Sequence, residues 1–164
     1  MPNYDLPNAA PEPLRRVQLF VNTADHENGR EWLPDWLAEH GLEQGDFDRA
    51  KRLREALRAL LRVNNEGGAA PEAEAEVTRA AAEVRVELRD GEAVLAGEGP
   101  LGEVTAVALA AMLDGTWPRL KVCRNCEWAF YDTSRNRSGS WCSMRLCGNR
   151  LKTKAYRRRL SEQV

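Results

Sequence analysis

The four cysteines of this 164-residue chain lie within one short segment and have the spacing of a metal site. They form a C-x2-C pair and a C-x4-C pair with fifteen residues between the pairs, at Cys123, Cys126, Cys142 and Cys147. Four thiolates are the soft ligands that a structural, tetrahedral Zn²⁺ prefers, and a complete set of four leaves no open coordination position for catalysis. The sequence therefore predicts one structural zinc ion bound by these four cysteines.

Other cysteine chemistry fits the sequence less well. A redox C-x-x-C pair normally belongs to a thioredoxin-like βαβ pattern, and the residues around Cys123 and Cys126 have no such pattern. A nucleophilic cysteine needs a histidine base, whereas the two histidines of the chain, His26 and His40, lie far away in sequence. No other residues form a recognisable catalytic group, so we do not expect an enzyme.

Structural disulfides are also disfavoured. The N-terminal residues lack the basic-then-apolar pattern of a signal peptide, and no apolar run approaches the roughly 20 residues of a membrane span. We therefore expect a cytoplasmic protein without a membrane segment, and cytoplasmic thiols stay reduced.

The charged residues divide the chain into two regions of opposite sign. Residues 119–164 contain 12 lysines and arginines but only 3 aspartates and glutamates, whereas residues 1–118 contain 12 and 22. This asymmetry indicates two modules with different partners. The simpler alternative is that the two regions attract each other. The two explanations are compatible.

Hydrophobic periodicity predicts that the first region is mostly helical. In the clearest helix, over 45–63, apolar residues recur at helical spacing with arginines and glutamates on the other face. The predicted elements begin with an extended leader over 1–13, a helix or extended segment over 14–23, with helix favoured, and helices over 30–42 and 45–63. Residues 64–76 contain a breaker and the start of another short helix, which ends at about Val84. A hairpin over 84–96 turns at Asp90-Gly91, and a buried helix over 101–115 lies under both modules.

The cysteine region predicts a treble-clef-like arrangement. A knuckle carries the first cysteine pair, a short hairpin runs through WAFYD at 128–132, and a helix from about 143 to 160 carries the last two ligands. The positive end of that helix favours thiolates at both positions. We therefore expect an α+β protein with an acidic, mostly helical domain and β-hairpin over 1–116 and a small zinc module over 117–164.

The hexapeptide GEGPLG at 97–102 has the spacing of a dinucleotide-binding loop. Glu98, however, would place a carboxylate where a pyrophosphate must bind, and the preceding strand is the return arm of a hairpin. After the helix the chain runs directly into the C-x-x-C pair, which leaves no room for the second strand of a βαβ unit. We therefore interpret the hexapeptide as a Gly-rich turn from strand to helix.

Residues 123–159 resemble the CGNR zinc-finger module, named for the tetrapeptide present here at 147–150. The SRN tripeptide at 134–136 and the WCSM tetrapeptide at 141–144 match the same module. Upstream, FVNT at 20–23, followed by Trp-rich and Leu-rich helices, a hairpin and a buried helix, is similar to the ABATE domain that usually precedes this module. Such two-domain proteins are described as stress-induced transcription regulators, so the resemblance implies transcription control.

The arginines of the zinc module predict a DNA-binding surface. A folded module of this charge attracts polyphosphate because each neutralised phosphate releases counterions, and arginine favours bidentate phosphate or guanine contacts. The alternatives are an interaction adaptor whose zinc module docks on an acidic partner, or arginines that only neutralise the zinc–thiolate centre and complement the helix dipole. The candidate nucleic-acid contacts are Arg135, Arg137, Arg150, Lys152, Lys154, Arg157 and Arg158.

The acidic region has no defined ligand site. Several of its residues could line a pocket for a small-molecule effector or could serve as core residues and helix caps, namely Asn22, Asp25, His26, Trp32 and Trp36. Homodimerisation through this region is the other possible role. The sequence thus indicates a transcription regulator whose zinc module presents a basic helix to DNA and whose N-terminal domain senses a ligand or dimerises.

Overall fold

The computed structural model describes residues 8–149, so the start of the predicted leader and the basic segment from residue 150 onward lie outside the described residues. Within them the chain is α+β, as predicted, with five α-helices and three two-stranded antiparallel hairpins. The helices are α1 (Arg15–Val21), α2 (Leu33–Glu39), α3 (Phe47–Glu66), α4 (Pro71–Ala80) and α5 (Gly99–Asp114). The strands are β1 (Ala24–Asp25), β2 (Arg30–Glu31), β3 (Val84–Arg89), β4 (Glu92–Gly97), β5 (Leu120–Val122) and β6 (Ala129–Tyr131). None of the helices in this described range has the length and apolar character needed to cross a bilayer.

Helix α3 is central to the fold and contacts α1, α2, α4 and β5. Leu53, Leu57 and Leu61 are buried at a four-residue spacing that places them on one face, as the periodicity predicts. The prediction that all arginines lie on the other face is wrong for Arg54 and Arg58, which are also buried. Each follows a buried leucine directly in sequence, so the buried face of α3 is wider than the leucine pattern indicates.

Helix α2 begins three residues later than predicted because Arg30–Glu31 forms β2. This strand pairs with β1, and the small hairpin has no counterpart among the predicted elements. Pro34 lies in the first turn of α2, where a missing N–H costs nothing. The helix is followed by Gly41 at a φ of 68°, which confirms the predicted glycine stop.

The hairpin predicted over 84–96 is confirmed. β3 and β4 pair without a bulge, from Val84 with Gly97 to Arg89 with Glu92. The turn residues Asp90 and Gly91 have φ values of 53° and 83°, the type I′ geometry that suits a two-residue hairpin turn.

The glycines of GEGPLG serve backbone packing. A Cβ atom on Gly97 would lie 1.9 Å from the backbone of Gly102, so the end of β4 and the first turn of α5 are in direct contact. Because β4 is the return arm of a hairpin, the interpretation as a strand-to-helix turn is confirmed. The G-x-G-x-x-G spacing here reflects close approach of two backbones.

Helix α5 is less completely buried than its apolar sequence predicts. Leu101, Val104 and Ala108 are buried, whereas Leu113 is 80% exposed. The helix packs mainly on β4 and α1 and also touches the 3₁₀ turn Trp117–Arg119. Helix α5 was predicted to lie under both modules. The strands of the zinc region are instead contacted mainly by other helices, β5 by α3 and β6 by α1.

One apolar core joins the helices to the hairpin β5–β6. Leu120, Val122 and Ala129 belong to the same buried cluster as the leucines of α3. The strand register places Lys121 opposite Phe130, so these two residues share the other face of the hairpin. The hairpin therefore lies between the helical core on one side and the cysteines on the other.

Candidate metal centre

The first cysteine pair lies in the loop between β5 and β6. The Cys123 N–H donates to Trp128 O and the Glu127 N–H donates to Cys123 O, both at 2.9 Å. Glu127 has a φ of 59°, the left-handed conformation that closes this tight loop. The predicted order is therefore corrected: the knuckle is the turn of the hairpin itself and does not precede a separate hairpin.

The second cysteine pair flanks the start of a π-helix, Met144–Gly148. The N–H groups of Cys147 and Gly148 both donate to Ser143 O, at 3.0 and 3.1 Å. A helix beginning next to Ser143, with Cys142 before it and Cys147 in its first turn, agrees with the prediction, although the turn is wider than an α-helical one. The remainder of the predicted helix, to about residue 160, lies outside the described residues.

The four sulfur atoms converge on one point. All four Sγ atoms lie within 4.8 Å of one another, and three pairs of them, among Cys126, Cys142 and Cys147, are 3.6 Å apart. Tetrahedral Zn²⁺ with Zn–S bonds near 2.3 Å holds its sulfur ligands about 3.8 Å apart. None of the four cysteines forms a disulfide. The cluster thus has the size and the donor set to hold one zinc ion.

The thiols strongly influence one another's ionisation. Hydrogen bonds from the thiols of Cys126 and Cys142 lower the pKa of Cys123. The bond to Cys123 raises the pKa of Cys126 to about 12, and bonds to both neighbours raise the pKa of Cys142. Without a cation these three thiols therefore favour a thiolate at Cys123, and repulsion by its negative charge disfavours ionisation of Cys126 and Cys142. Zinc removes this repulsion, so its binding releases protons.

Polar and aromatic side chains surround the sulfur atoms. Asn125 Nδ2 lies 3.6 Å from Cys147 Sγ and donates a hydrogen bond that orients this ligand. Phe130 is buried among the cysteines, and Trp128 and Trp141 pack against them. The two tryptophans therefore belong to a miniature core around the metal site.

The asparagine of FVNT holds β6 in place. Asn22 Nδ2 donates to Ala129 O at 3.0 Å, and the Ala129 N–H donates back to Asn22 Oδ1 at 2.8 Å. Gln18, one turn earlier on α1, donates to the same carbonyl at 3.1 Å. All three residues are buried. The side-chain amide of Asn22 therefore pairs with the backbone of Ala129 in the way that a neighbouring strand would, and so holds β6 in place.

The C-terminal half of α3 binds the backbone of the zinc region. Arg58 donates to Glu127 O at 2.8 Å, and Arg62 forms an ion pair with the Glu127 carboxylate at 2.7 Å. Asn64 and Asn65 each donate to two carbonyls. The carbonyls that α3 binds in this region belong to Trp117, Leu120, Val122, Glu127 and Ser140. These bonds fix the knuckle relative to the N-terminal helices.

A buried ion pair supports the loop that precedes the second cysteine pair. Lys121 Nζ lies 2.8 Å from Asp132 Oδ2, and both side chains are less than 5% exposed. Both side chains also bind this loop, residues 133–139, which we call the arginine loop. Lys121 donates to the carbonyls of Arg137 and Gly139, and the Gly139 N–H donates to Asp132. A Cβ atom on Gly139 would lie 2.7 Å from the Asp132 carboxylate, so the loop closes tightly over the pair.

Asp132 makes the stability of this loop pH-dependent. Burial alone would raise its pKa, but hydrogen bonds from Lys121, Ser134 and Gly139 outweigh burial and lower the pKa from 3.8 to about 2. Because the folded-state pKa lies below the unfolded value, the carboxylate stabilises the fold fully above pH 3.8. This contribution, about 2–3 kcal/mol, is lost as the pH falls toward 2.

We expect Asp132→Asn to lower the free energy of unfolding at neutral pH by about 3 kcal/mol or more, because Lys121 stays buried without a counter-charge. Urea unfolding at a series of pH values should show the difference from the native chain shrinking below about pH 4. Both proteins lose thiolate–metal bonding in acid, so their difference isolates the carboxylate. The exposed residue Asp48 serves as control, and Asp48→Asn should change stability by less than about 0.5 kcal/mol. Equal effects of the two substitutions would contradict the prediction.

The described part of the chain contains two of the seven candidate nucleic-acid contacts. Arg135 and Arg137 are both exposed on the arginine loop. Arg145, exposed on the π-helix between two cysteines, is not among the sequence-based candidates, although its place beside the ligands could have indicated it. The candidates that lie outside the described residues are Arg150, Lys152, Lys154, Arg157 and Arg158.

Other basic residues of this region have internal partners. Arg119 donates to the carbonyls of Asp132 and Ser134, at 2.9 and 3.0 Å. Arg124 donates to the carbonyl of Asn65 on α3. These two arginines therefore stabilise the fold of the zinc region, although Arg124 is also exposed.

Two of the residues considered for a pocket in the N-terminal region are buried. Asn22 and Trp36 are each 3% exposed, the first bound to β6 and the second packed on Phe20 and His40. His26 is exposed and lies 3.7 Å from carboxylate oxygens of two glutamates. For Asn22 the alternative, a structural role, is confirmed. Trp36 belongs to the core and also lines a cavity of about 300 Å³ together with His40 and Val104.

The fold and the site define a helix-rich protein that carries a four-cysteine zinc finger on the core of its helices. Residues 119–160 match the CGNR zinc finger. Residues 14–116 match ABATE, a family described as "Putative stress-induced transcription regulator". This match covers more than half of the chain, so the chain belongs to the ABATE family. A comparison with curated proteins finds no match.

Proposed function

We propose that this protein is a DNA-binding transcription regulator in which zinc holds the basic segments of the C-terminal region in place. The observation that carries the proposal is the exposure of Arg135, Arg137 and Arg145. Within the described chain, no carboxylate forms an ion pair with any of the three, whereas Arg119 and Arg124 are bound to carbonyls. Exposed guanidinium groups without counter-charges on a rigid support are suited to phosphate contacts.

The backbone of the arginine loop supports this role. Arg137 has a φ of 52°, a left-handed conformation that costs a non-glycine residue about 1 kcal/mol. The loop is held there by Lys121, which donates to Arg137 O at 2.5 Å. Folding alone would favour glycine or asparagine at this position. An arginine held in this conformation is therefore consistent with a function for its side chain.

The N-terminal region is proposed to receive the regulatory input, either as a small molecule or as a second copy of the chain. For a small molecule, the site we favour is a cavity of about 300 Å³ between α3, α4 and α5. Its charged lining residues are Arg49, Arg52, Glu76, Arg79 and Glu83. We further propose a cytoplasmic location and a binding function without catalysis.

The proposal is tested by measuring DNA affinity against salt concentration. With zinc-loaded protein and mixed genomic fragments, affinity should fall steeply as salt rises. Replacing Arg135 and Arg137 together by glutamine keeps the stems of the side chains and removes both charges. We expect this double variant to bind more weakly and the slope of log K against log salt to become less steep by about 2.

A matched control is the removal of two exposed arginines from the N-terminal region, Arg15→Gln with Arg30→Gln. This control should leave both the affinity and the salt slope unchanged. DNA binding that is absent, independent of salt, or equally weakened in both variants would overturn the proposal. Salt-dependent binding to an acidic protein partner, with no binding to DNA, would instead support the adaptor.

A further inference from the structure

The hairpin β3–β4 leaves one strand edge open. Helix α5 packs mainly against β4, and among residues 8–149 β4 is the only strand paired with β3. β3 contains no proline or glycine and pairs without a bulge, so of the usual features that protect an edge it has only its charged side chains, Arg85, Glu87 and Arg89. Its outer backbone is therefore able to accept another strand.

The hydrogen-bond pattern identifies the outward-facing residues of β3. In a hairpin with a two-residue turn, the residues that flank the turn bond to each other, so Arg85, Glu87 and Arg89 direct their N–H and C=O groups toward β4. The bond from the Glu98 N–H to Glu83 O, at 3.1 Å, continues this alternation. The backbone groups of the alternate residues, Val84, Val86 and Leu88, therefore face away from β4.

Two large apolar side chains of β3 are exposed to solvent. Val86 is 66% exposed and Leu88 is 80% exposed. The charged residues alternate with them, and Glu87 lies 2.9 Å from Arg85 and 2.7 Å from Arg89. A partner strand would cover the valine and leucine and would need charges complementary to this pattern.

The sequence of β3 is complementary to itself in one antiparallel register. When Val86 lies opposite Val86 of a second copy, Val84 lies opposite Leu88, and Arg85 lies opposite Glu87 of the second copy in two symmetric pairs. A shift of the register by two residues in either direction would place either Arg85 opposite Arg85 or Glu87 opposite Glu87, which is repulsive.

We propose that two copies of this chain associate through β3, antiparallel about a two-fold axis at Val86, to form a continuous sheet in the order β4–β3–β3–β4. Val86 bonds to Val86 in both directions, and the Leu88 N–H of each copy donates to Val84 O of the other, about four hydrogen bonds in all. The Val84 N–H does not take part because it donates to Ala81 O. The dimer is the second-copy form of the regulatory input proposed above, but its formation does not depend on DNA binding.

The register is tested with complementary charge variants of the full, zinc-loaded chain. Sedimentation velocity from about 1 to 200 µM should show the native chain in a reversible monomer–dimer equilibrium. Arg85→Glu and Glu87→Arg, each alone, should raise the dimer dissociation constant about tenfold or more, because both cross-strand pairs become like-charged. An equal mixture of these two variants should restore dimerisation, because each Glu then faces an Arg.

A second variant tests the backbone pairing. Val86→Pro removes an N–H that faces away from β4, so it should abolish the dimer while the hairpin remains folded. Leu113→Lys is the control, because Leu113 is as exposed as Leu88, at 80%, but lies at the far end of α5. It should leave the dissociation constant unchanged. Zinc content and thermal unfolding show that each variant is folded.

Two results would overturn the dimer: a native chain that stays monomeric throughout this range, or a dimer that neither the charge variants nor Val86→Pro weakens. DNA binding measured on the same samples separates the two proposals. A monomer that binds DNA refutes the dimer alone, and a dimer that does not bind DNA refutes the transcription-regulator function alone.

Discussion

Cys126→Ser is expected to abolish zinc binding and the fold of the cysteine region together. The native chain should contain one zinc ion, bound where the four Sγ atoms lie within 4.8 Å of one another, and the variant none. Structural zinc contributes on the order of 10 kcal/mol of folding free energy, which is comparable to the whole stability of a domain. Elemental analysis and near-ultraviolet circular dichroism, which reports on Trp128 and Trp141 beside the site, measure the two effects.

The loss should extend beyond the cysteines. Leu120, Val122 and Ala129 are part of the core formed by the N-terminal helices, so disorder in the β5–β6 hairpin removes apolar contacts from that core. We therefore expect the melting temperature of the whole chain to fall. Ser138→Ala, a change at an exposed position in the same region, should affect neither zinc content nor melting. A Cys126→Ser variant that retains one zinc ion and its melting temperature would contradict the prediction.

Arg58→Ala is expected to destabilise the fold strongly. The guanidinium is 2% exposed and donates to the carbonyls of Val21, Ala24 and Glu127. Burial lowers the pKa of Arg58, but the group remains charged, so its removal leaves three carbonyls without this donor and a cavity in the core. We expect a loss of about 3–5 kcal/mol, or roughly 10 °C in melting temperature.

Arg62 provides a matched control on the same helix. It also binds Glu127, but its side chain is 40% exposed. Arg62→Ala should therefore cost less than about 1 kcal/mol. Because Arg58 binds the knuckle backbone, its loss should also speed the release of zinc to a chelator, whereas the loss of Arg62 should not. Similar losses of stability and similar zinc release rates in the two variants would contradict this view of α3.

Local patterns in the sequence predicted much of the fold. The five helices and the β3–β4 hairpin follow from periodicity and from turn residues such as Asp90-Gly91, because these signals act between neighbouring residues. The β1–β2 hairpin escaped prediction because strands of two residues have no measurable alternation. The π-helical form of the turn at Met144–Gly148 also escaped prediction, because it differs from an α-helix only in its hydrogen bonds to Ser143 O.

The metal site could be predicted from the sequence, because four cysteines close together in the chain need only a local fold to converge. The roles of the buried polar residues could not, because they depend on contacts that form only in the folded chain. Asn22 binds Ala129 across 107 positions, and Arg58 binds Glu127 across 69, through single side chains that have no periodic signal. The physical reason is that a long-range hydrogen bond depends on where two backbones meet, and that position follows from packing of the whole core.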